Sequence, residues 1–121
     1  MTVRTILVVD DSPTDRYIIS DILIKNGYQV DIAESGEEGV NKVREIRPDL
    51  VLMDVVMPGM NGYQATRILA RDATTRHIPV ILCTTKDQQT DKIWGIRQGA
   101  RNYITKPVMA AELLQKIAGL D

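Results

Sequence analysis

The chain alternates short apolar, β-branched runs with longer stretches whose apolar positions recur every three or four residues. The first pattern reads as strand and the second as helix. Thr5 to Val9 is the first strand-like run. Ser12-Pro13 then opens a helix, with Ser12 placed as N-cap and Pro13 at the first helical position. Ile18, Ile19, Ile22 and Leu23 define its expected inner face, and Gly27 closes it after about Asn26.

Tyr28 to Ala33 reads as a second, less apolar strand, expected near a sheet edge. Ser35, with Glu38 three residues on, has the form of a capping box, and the helix it starts must end before Pro48. Leu50 to Met53 is the third strand. Pro58, Gly59 and Gly62 mark a loop, after which Asn61 or Gly62 starts a third helix through Ala65, Ile68 and Leu69. Pro79 to Cys83 is the fourth strand, and Asp87 to Gln98 a helix stopped at Gly99. Gly95 inside that helix costs ~1 kcal/mol against Ala, which predicts the weakest of the helices. Tyr103 to Thr105 is a short fifth strand, and Ala110 to Ala118 a last helix with Leu113, Leu114 and Ile117 inward.

Strict strand-helix alternation predicts an α/β fold: a doubly wound, five-stranded parallel sheet covered by helices on both faces. No repeat, linker or low-complexity stretch interrupts the 121 residues, so one domain over 1–121 is expected, without an output module. Apolar residues make up 44% and charged residues 26%, a globular composition. The net charge of −1 gives no overall pull toward nucleic acid or membrane. Its distribution is uneven: residues 1–60 carry six Lys/Arg against eleven Asp/Glu, and residues 61–121 nine against five. An acidic pocket with a basic surface elsewhere fits that split. A lone cysteine, Cys83, excludes an internal disulfide and a cysteine zinc cluster. With no signal peptide and no apolar run near the ~20 residues that span a bilayer, a cytoplasmic protein is expected.

The strand ends carry the chemistry. Asp10 and Asp11 follow the first strand, Asp54 the third, Thr84 and Thr85 the fourth, and Lys106-Pro107 the fifth. Ligands of open α/β sheets bind at the carboxyl ends of strands, so these side chains are expected in one crevice. Three clustered carboxylates raise one another's pKa unless a cation intervenes, and oxygen donors suit Mg²⁺. An aspartate can attack phosphorus to form an acyl phosphate, while a lysine and a threonine hydroxyl can hold phosphoryl oxygens.

The segments Val8-Val9-Asp10-Asp11-Ser12, Leu52-Met53-Asp54-Val55-Val56-Met57-Pro58-Gly59-Met60-Asn61-Gly62, Pro79 to Thr84, and Gly99 to Pro107 together resemble the response-regulator receiver domains of two-component signalling. The resemblance covers the whole chain. It implies the flavodoxin-like, CheY-like sheet order 2-1-3-4-5 with five helices. It implies Asp54 as phospho-acceptor, Asp11 and Asp54 as direct Mg²⁺ ligands with the Val56 carbonyl, and Asp10 acting mostly through water. Lys106 resembles the phosphoryl-binding lysine, Thr84 the hydroxyl that moves toward phosphate, and Tyr103 the switch aromatic that turns inward behind it. The Lys106-Pro107 peptide is typically cis in the family. A switching surface on the fourth helix, fifth strand and fifth helix follows. So does a CheA-like histidine kinase or phosphotransfer domain as partner, with no nucleic acid and no membrane insertion.

The stretches Asn61 to Arg67 and Thr84 to Gly95 further resemble stand-alone receivers of the chemotaxis-like systems that control type IV pili and twitching motility. A pilus or motility protein would then be the target. Thr85 stands where the family usually has a smaller residue, so slower or more selective phosphorylation is expected, or no effect if its rotamer points away. Val56 and Lys86 flank the path of an attacking water, and the family uses these two positions to tune autodephosphorylation. Trp94, with Lys92, Arg97 and Arg101 nearby, is a candidate partner anchor on a basic face. His77 reads as solvated. A phosphate sink with no downstream target stays open. So does an aspartate-nucleophile phosphatase, although such enzymes carry Asp-x-Asp after strand one, whereas here the acids are adjacent. A flavodoxin-type cofactor protein is disfavoured, because Asp10-Asp11 would repel a phosphate in the first loop.

Overall fold

The computed structural model describes residues 2–120. Its elements run β1 (Thr5–Val9), α1 (Pro13–Lys25), β2 (Gln29–Ala33), α2 (Gly36–Ile46), β3 (Leu50–Met53), α3 (Gly62–Arg71), β4 (Val80–Thr84), α4 (Gln89–Arg97), β5 (Asn102–Thr105) and α5 (Ala110–Ala118). The strands pair in the order β2-β1-β3-β4-β5, and every pairing is parallel. The sheet order and the five helices agree with the expectation from sequence.

Alternate strand residues face opposite sides, which splits the core in two. Leu7, Val9, Val51, Met53 and Leu82 pack with Val40, Val43, Ala65 and Leu69, under α2 and α3. Ile6, Val8, Leu50, Leu52, Ile81 and Ile104 pack with Ile19, Leu23, Leu113 and Ile117, under α1 and α5. Each of these large side chains contributes roughly 1.5–3 kcal/mol by leaving water. Cys83 belongs to the second layer, and burial pushes its thiol up to about 12, so it is an inert packing residue.

Several sequence expectations need correction. Ile18 is 44% exposed, so the inner face of α1 is narrower than its apolar residues suggested; Arg16, Ile19 and Leu23 are the buried positions. Ser35 caps α2 as expected, but the Glu38 carboxylate accepts from the Glu34 N–H rather than from Ser35. β4 runs one residue later than expected, from Val80 to Thr84. Pro79 lends only its carbonyl to the ladder, accepting from Val51 N–H, because it has no N–H to return. α4 is shorter than expected at both ends, being capped at Gln88 and ending at Arg97.

Gly95 has a packing reason that its helix propensity hides. A Cβ there would lie 2.8 Å from Leu82 Cδ1 and 3.2 Å from the Tyr103 ring. The glycine lets α4 approach β4 and β5 closely. Alanine gains up to ~1 kcal/mol in helix propensity but meets an overpacking cost of about 1–3 kcal/mol. Gly95→Ala should therefore lower stability by about 1 kcal/mol, read as a lower urea midpoint. A higher midpoint would show that the packing yields.

Candidate functional site

Parallel register brings the strand ends to one rim, and backbone bonds extend it beyond the strands. Asp54 N–H donates to the Val9 carbonyl at 2.9 Å, Asp10 N–H to Ala33 at 3.1 Å, and Lys106 N–H to Thr84 at 2.8 Å. Asp10, Asp54 and Thr84 are thereby fixed at adjacent positions, all buried, while Asp11 is exposed. The start of α3 presses on the same rim. A Cβ on Gly62 would lie 2.1 Å from the Asp54 carbonyl oxygen, so no other residue fits without moving the backbone.

Lys106 organises the acids. Its Nζ lies 2.7 Å from Asp10 Oδ2, 2.8 Å from Asp15 Oδ2 and 3.4 Å from Asp54 Oδ2. The Lys106-Pro107 peptide is cis. Burial alone would lower the lysine's pKa; the hydrogen bonds to Asp10 and Asp15 and the charge of Asp54 outweigh it and hold the ammonium above its ordinary range. Burial raises Asp10 above the usual carboxylate range, against the opposing pull of Lys106 and of the Ser12 N–H at 2.9 Å. Asp54 Oδ1 accepts from the Val55 N–H at 2.7 Å. Arg16, itself buried, donates to the Asp10 carbonyl at 2.7 Å and pairs with Glu34 at 3.1 Å.

Carboxylate oxygens of Asp10, Asp11 and Asp54 lie within 4.8 Å of one another. At about 2.1 Å per Mg²⁺–oxygen bond, neighbouring octahedral ligands stand about 3 Å apart, so the three would have to draw closer to share one ion. The donor set is all oxygen, and four nearby carboxylates face a single ammonium. Both facts suit a hard divalent cation.

The remaining site residues lie along β4 and β5. Thr84 is fully buried, and its hydroxyl oxygen receives only a long 3.4 Å bond from Lys86 N–H. Thr85, Lys86 and Val56 are exposed beside it. Tyr103 is buried, and its hydroxyl donates to the Lys86 carbonyl at 2.9 Å. The ring is thus packed inward. Burial first, then the adjacent Tyr63 phenol, raises the Tyr103 hydroxyl above the ordinary tyrosine range. Tyr63 itself donates to the Asp91 carbonyl at 3.1 Å.

The model of the response regulator receiver domain matches residues 6–118. The chain belongs to that family. The receiver is 60% identical to Protein PilH of Pseudomonas aeruginosa over 112 residues, 93% of each chain. It is 40% identical over 114 residues to the phosphate regulon regulatory protein PhoB of Escherichia coli, of which it spans 50%. Among solved structures it superimposes on the Vibrio cholerae chemotaxis protein CheY4 with a TM-score of 0.91 at 28% identity, covering 99% of this chain and 100% of that one. Among the described residues no helix is long and apolar enough to cross a membrane.

Asp15, Arg16 and Tyr63 were not among the site residues expected from sequence, and Gly62 was read only as a loop and helix-start residue. Asp15 carried one usable signal: it lies in the first helical turn directly after the Asp10-Asp11 strand end, where a side chain points back toward the rim.

The raised pKa of Asp10 has a definite sign. A carboxyl whose folded pKa exceeds its unfolded one binds protons more readily when folded, so its ionisation destabilises the fold as pH rises. In metal-free buffer, Asp10→Asn should therefore raise stability at pH 7. The gap to wild type should narrow as pH falls toward the range where Asp10 protonates. Urea titrations with EDTA at several pH values would measure it, and a gap that widens in acid would contradict the assignment.

Proposed function

We propose that this receiver accepts a phosphoryl group on Asp54 from a phosphohistidine of a CheA-like kinase or phosphotransfer domain. The observation that carries the reading is the Lys106 ammonium set 3.4 Å from Asp54 Oδ2, next to a cluster of carboxylates. In the transfer, an Asp54 oxygen bonds to phosphorus as the P–N bond breaks, and the histidine imidazole leaves with the electron pair. The reaction demands positioning and charge neutralisation more than acid–base chemistry.

The chain's residues divide that work. Asp11, Asp54 and the Val56 carbonyl would hold Mg²⁺, with Asp10 acting mostly through water. The ion would supply charge neutralisation for the phosphoryl oxygens. Lys106 neutralises one oxygen as a point charge, and it would exchange part of its contact with Asp10 and Asp15 for the new anion. Thr84 donates to another oxygen; its present bond is long, so turning the hydroxyl costs little. Movement of Thr84 and the Lys86 backbone would then reach Tyr103 through the Tyr103 hydroxyl bond and alter the α4-β5-α5 surface. Lys86 and Val56 would tune the lifetime of the phosphate, and Thr85 would slow its entry or make it more selective.

The receiver would act in the cytoplasm, catalysing only its own phosphorylation and dephosphorylation. Likeness to PilH over nearly the whole chain supports a place in the control of type IV pili and twitching motility.

Incubation with phosphorylated kinase and Mg²⁺ should place one acid-stable, hydroxylamine-labile phosphoryl group on the chain. EDTA and Asp54→Ala should each abolish it, and Lys106→Ala should slow it by about tenfold or more, as expected for losing a charge-assisted contact. Label surviving in Asp54→Ala would refute the assignment. Rapid loss of label without any phosphorylation-dependent partner would favour the phosphate sink.

A further inference from the structure

Outside the acidic rim, a groove of about 390 Å³ lies between α3 and α4. Arg67, Ala70, Arg71, Trp94, Arg97 and Gly99 are among its lining residues. No carboxylate lines the groove, and none of the three arginines has an ion pair among the described residues. The nearest acids in sequence are already engaged. Asp72 pairs with Arg44 at 3.1 Å, and Asp91 faces Lys86 at 3.8 Å. Arg67 and Arg71 also stand four apart on one helix, an arrangement that destabilises α3 slightly through like-charge repulsion. Trp94 adds a large aromatic surface, 49% exposed.

The geometry points to a docking groove for an acidic segment of a partner protein, with carboxylates on the three guanidiniums and one apolar side chain against Trp94. Charge complementarity selects the sign of the occupant, and the concave shape selects a protruding chain over a flat bilayer. Three cations in one groove, on a chain of net charge −1, make a smaller footprint than the basic stripe of a nucleic-acid site. Tryptophan and arginine are the residue types enriched where interfaces gain most of their affinity. The groove lies between α3 and α4, on a different face from the acidic rim.

Trp94 is the only tryptophan, so its emission reports on the groove directly. The probe is a short fluorescein-labelled peptide of alternating Glu and Ser with one central Leu. It should give saturable binding in the micromolar range, weakened by added salt. Replacing the Leu by Ser, or testing the double variant Arg67→Ala with Arg71→Ala, should weaken binding about tenfold. Arg97→Ala should weaken it severalfold, and Trp94→Leu, read by peptide anisotropy, should do the same. The substituted side chains are exposed, and an unchanged far-ultraviolet circular dichroism spectrum verifies the fold. Absence of saturable binding at millimolar peptide would overturn the proposal. So would unchanged affinity in both arginine variants, or equally tight binding of an oligothymidylate or of anionic phosphatidylglycerol vesicles.

Discussion

One ammonium group holds the acidic rim together. Adjacent strands lie about 4.8 Å apart, so the loop after β5 stands roughly 14 Å from β1 across the sheet. Lys106 nonetheless reaches Asp10 at 2.7 Å and Asp54 at 3.4 Å, with Asp15 of α1 closing from the other side. Two buried carboxylates on neighbouring strands repel each other in a medium that screens poorly. Without the lysine, folding would have to protonate one or push them apart. With it, three acids and one base still leave an excess of negative charge, and exposed Asp11 adds to it. The rim is stable enough to fold and remains under-neutralised, which is the condition for attracting a cation and tolerating a phosphoryl group.

That arrangement depends on register more than on any one side chain. Val9 pairs with Met53 and Met53 with Leu82, so β1 and β3 end level, while β4 and β5 run two residues further, to the paired Thr84 and Thr105. A parallel sheet sets this alignment through crossovers, and the crossovers are fixed by which helix faces are apolar. Gly62 then lets α3 start against the Asp54 carbonyl, and Arg16 ties α1 to the Asp10 carbonyl. The site is rigid where charge must be held and bonded loosely at Thr84, where a hydroxyl would have to turn.

The elements were legible in the sequence because buried strands announce themselves as unbroken apolar runs, and the polar residue ending each run marks the rim. The contact of Asp15 was not legible, because it depends on the path of a loop far away in sequence: Lys106 lies 91 residues beyond Asp15. Ile18 misled because periodicity shows that a residue is apolar, not that a neighbour covers it. Gly95 misled in the opposite direction. Propensity alone marks it as a weakness, whereas its contacts with Leu82 and Tyr103 make it the condition for α4 to dock. Propensity is measured in isolated helices, where such a neighbour is absent.

These contacts also explain why α4 is the element suited to respond. It buries only Gly95, while Ile93, Trp94 and Ile96 remain nearly half exposed. With little apolar burial to anchor it, its local rearrangement costs less than that of α1 or α5, whose leucines and isoleucines fill the core. Its remaining ties are polar: the Tyr63 hydroxyl on the Asp91 carbonyl at its start, and the Tyr103 hydroxyl on Lys86 in the loop before it. Polar ties are strongly directional and exchange partners when a backbone shifts by an ångström or so. A charge arriving at the rim would act first on Thr84 and Lys106, and the Lys86 backbone is the next link. The element held by a few directional bonds would move before the elements held by burial.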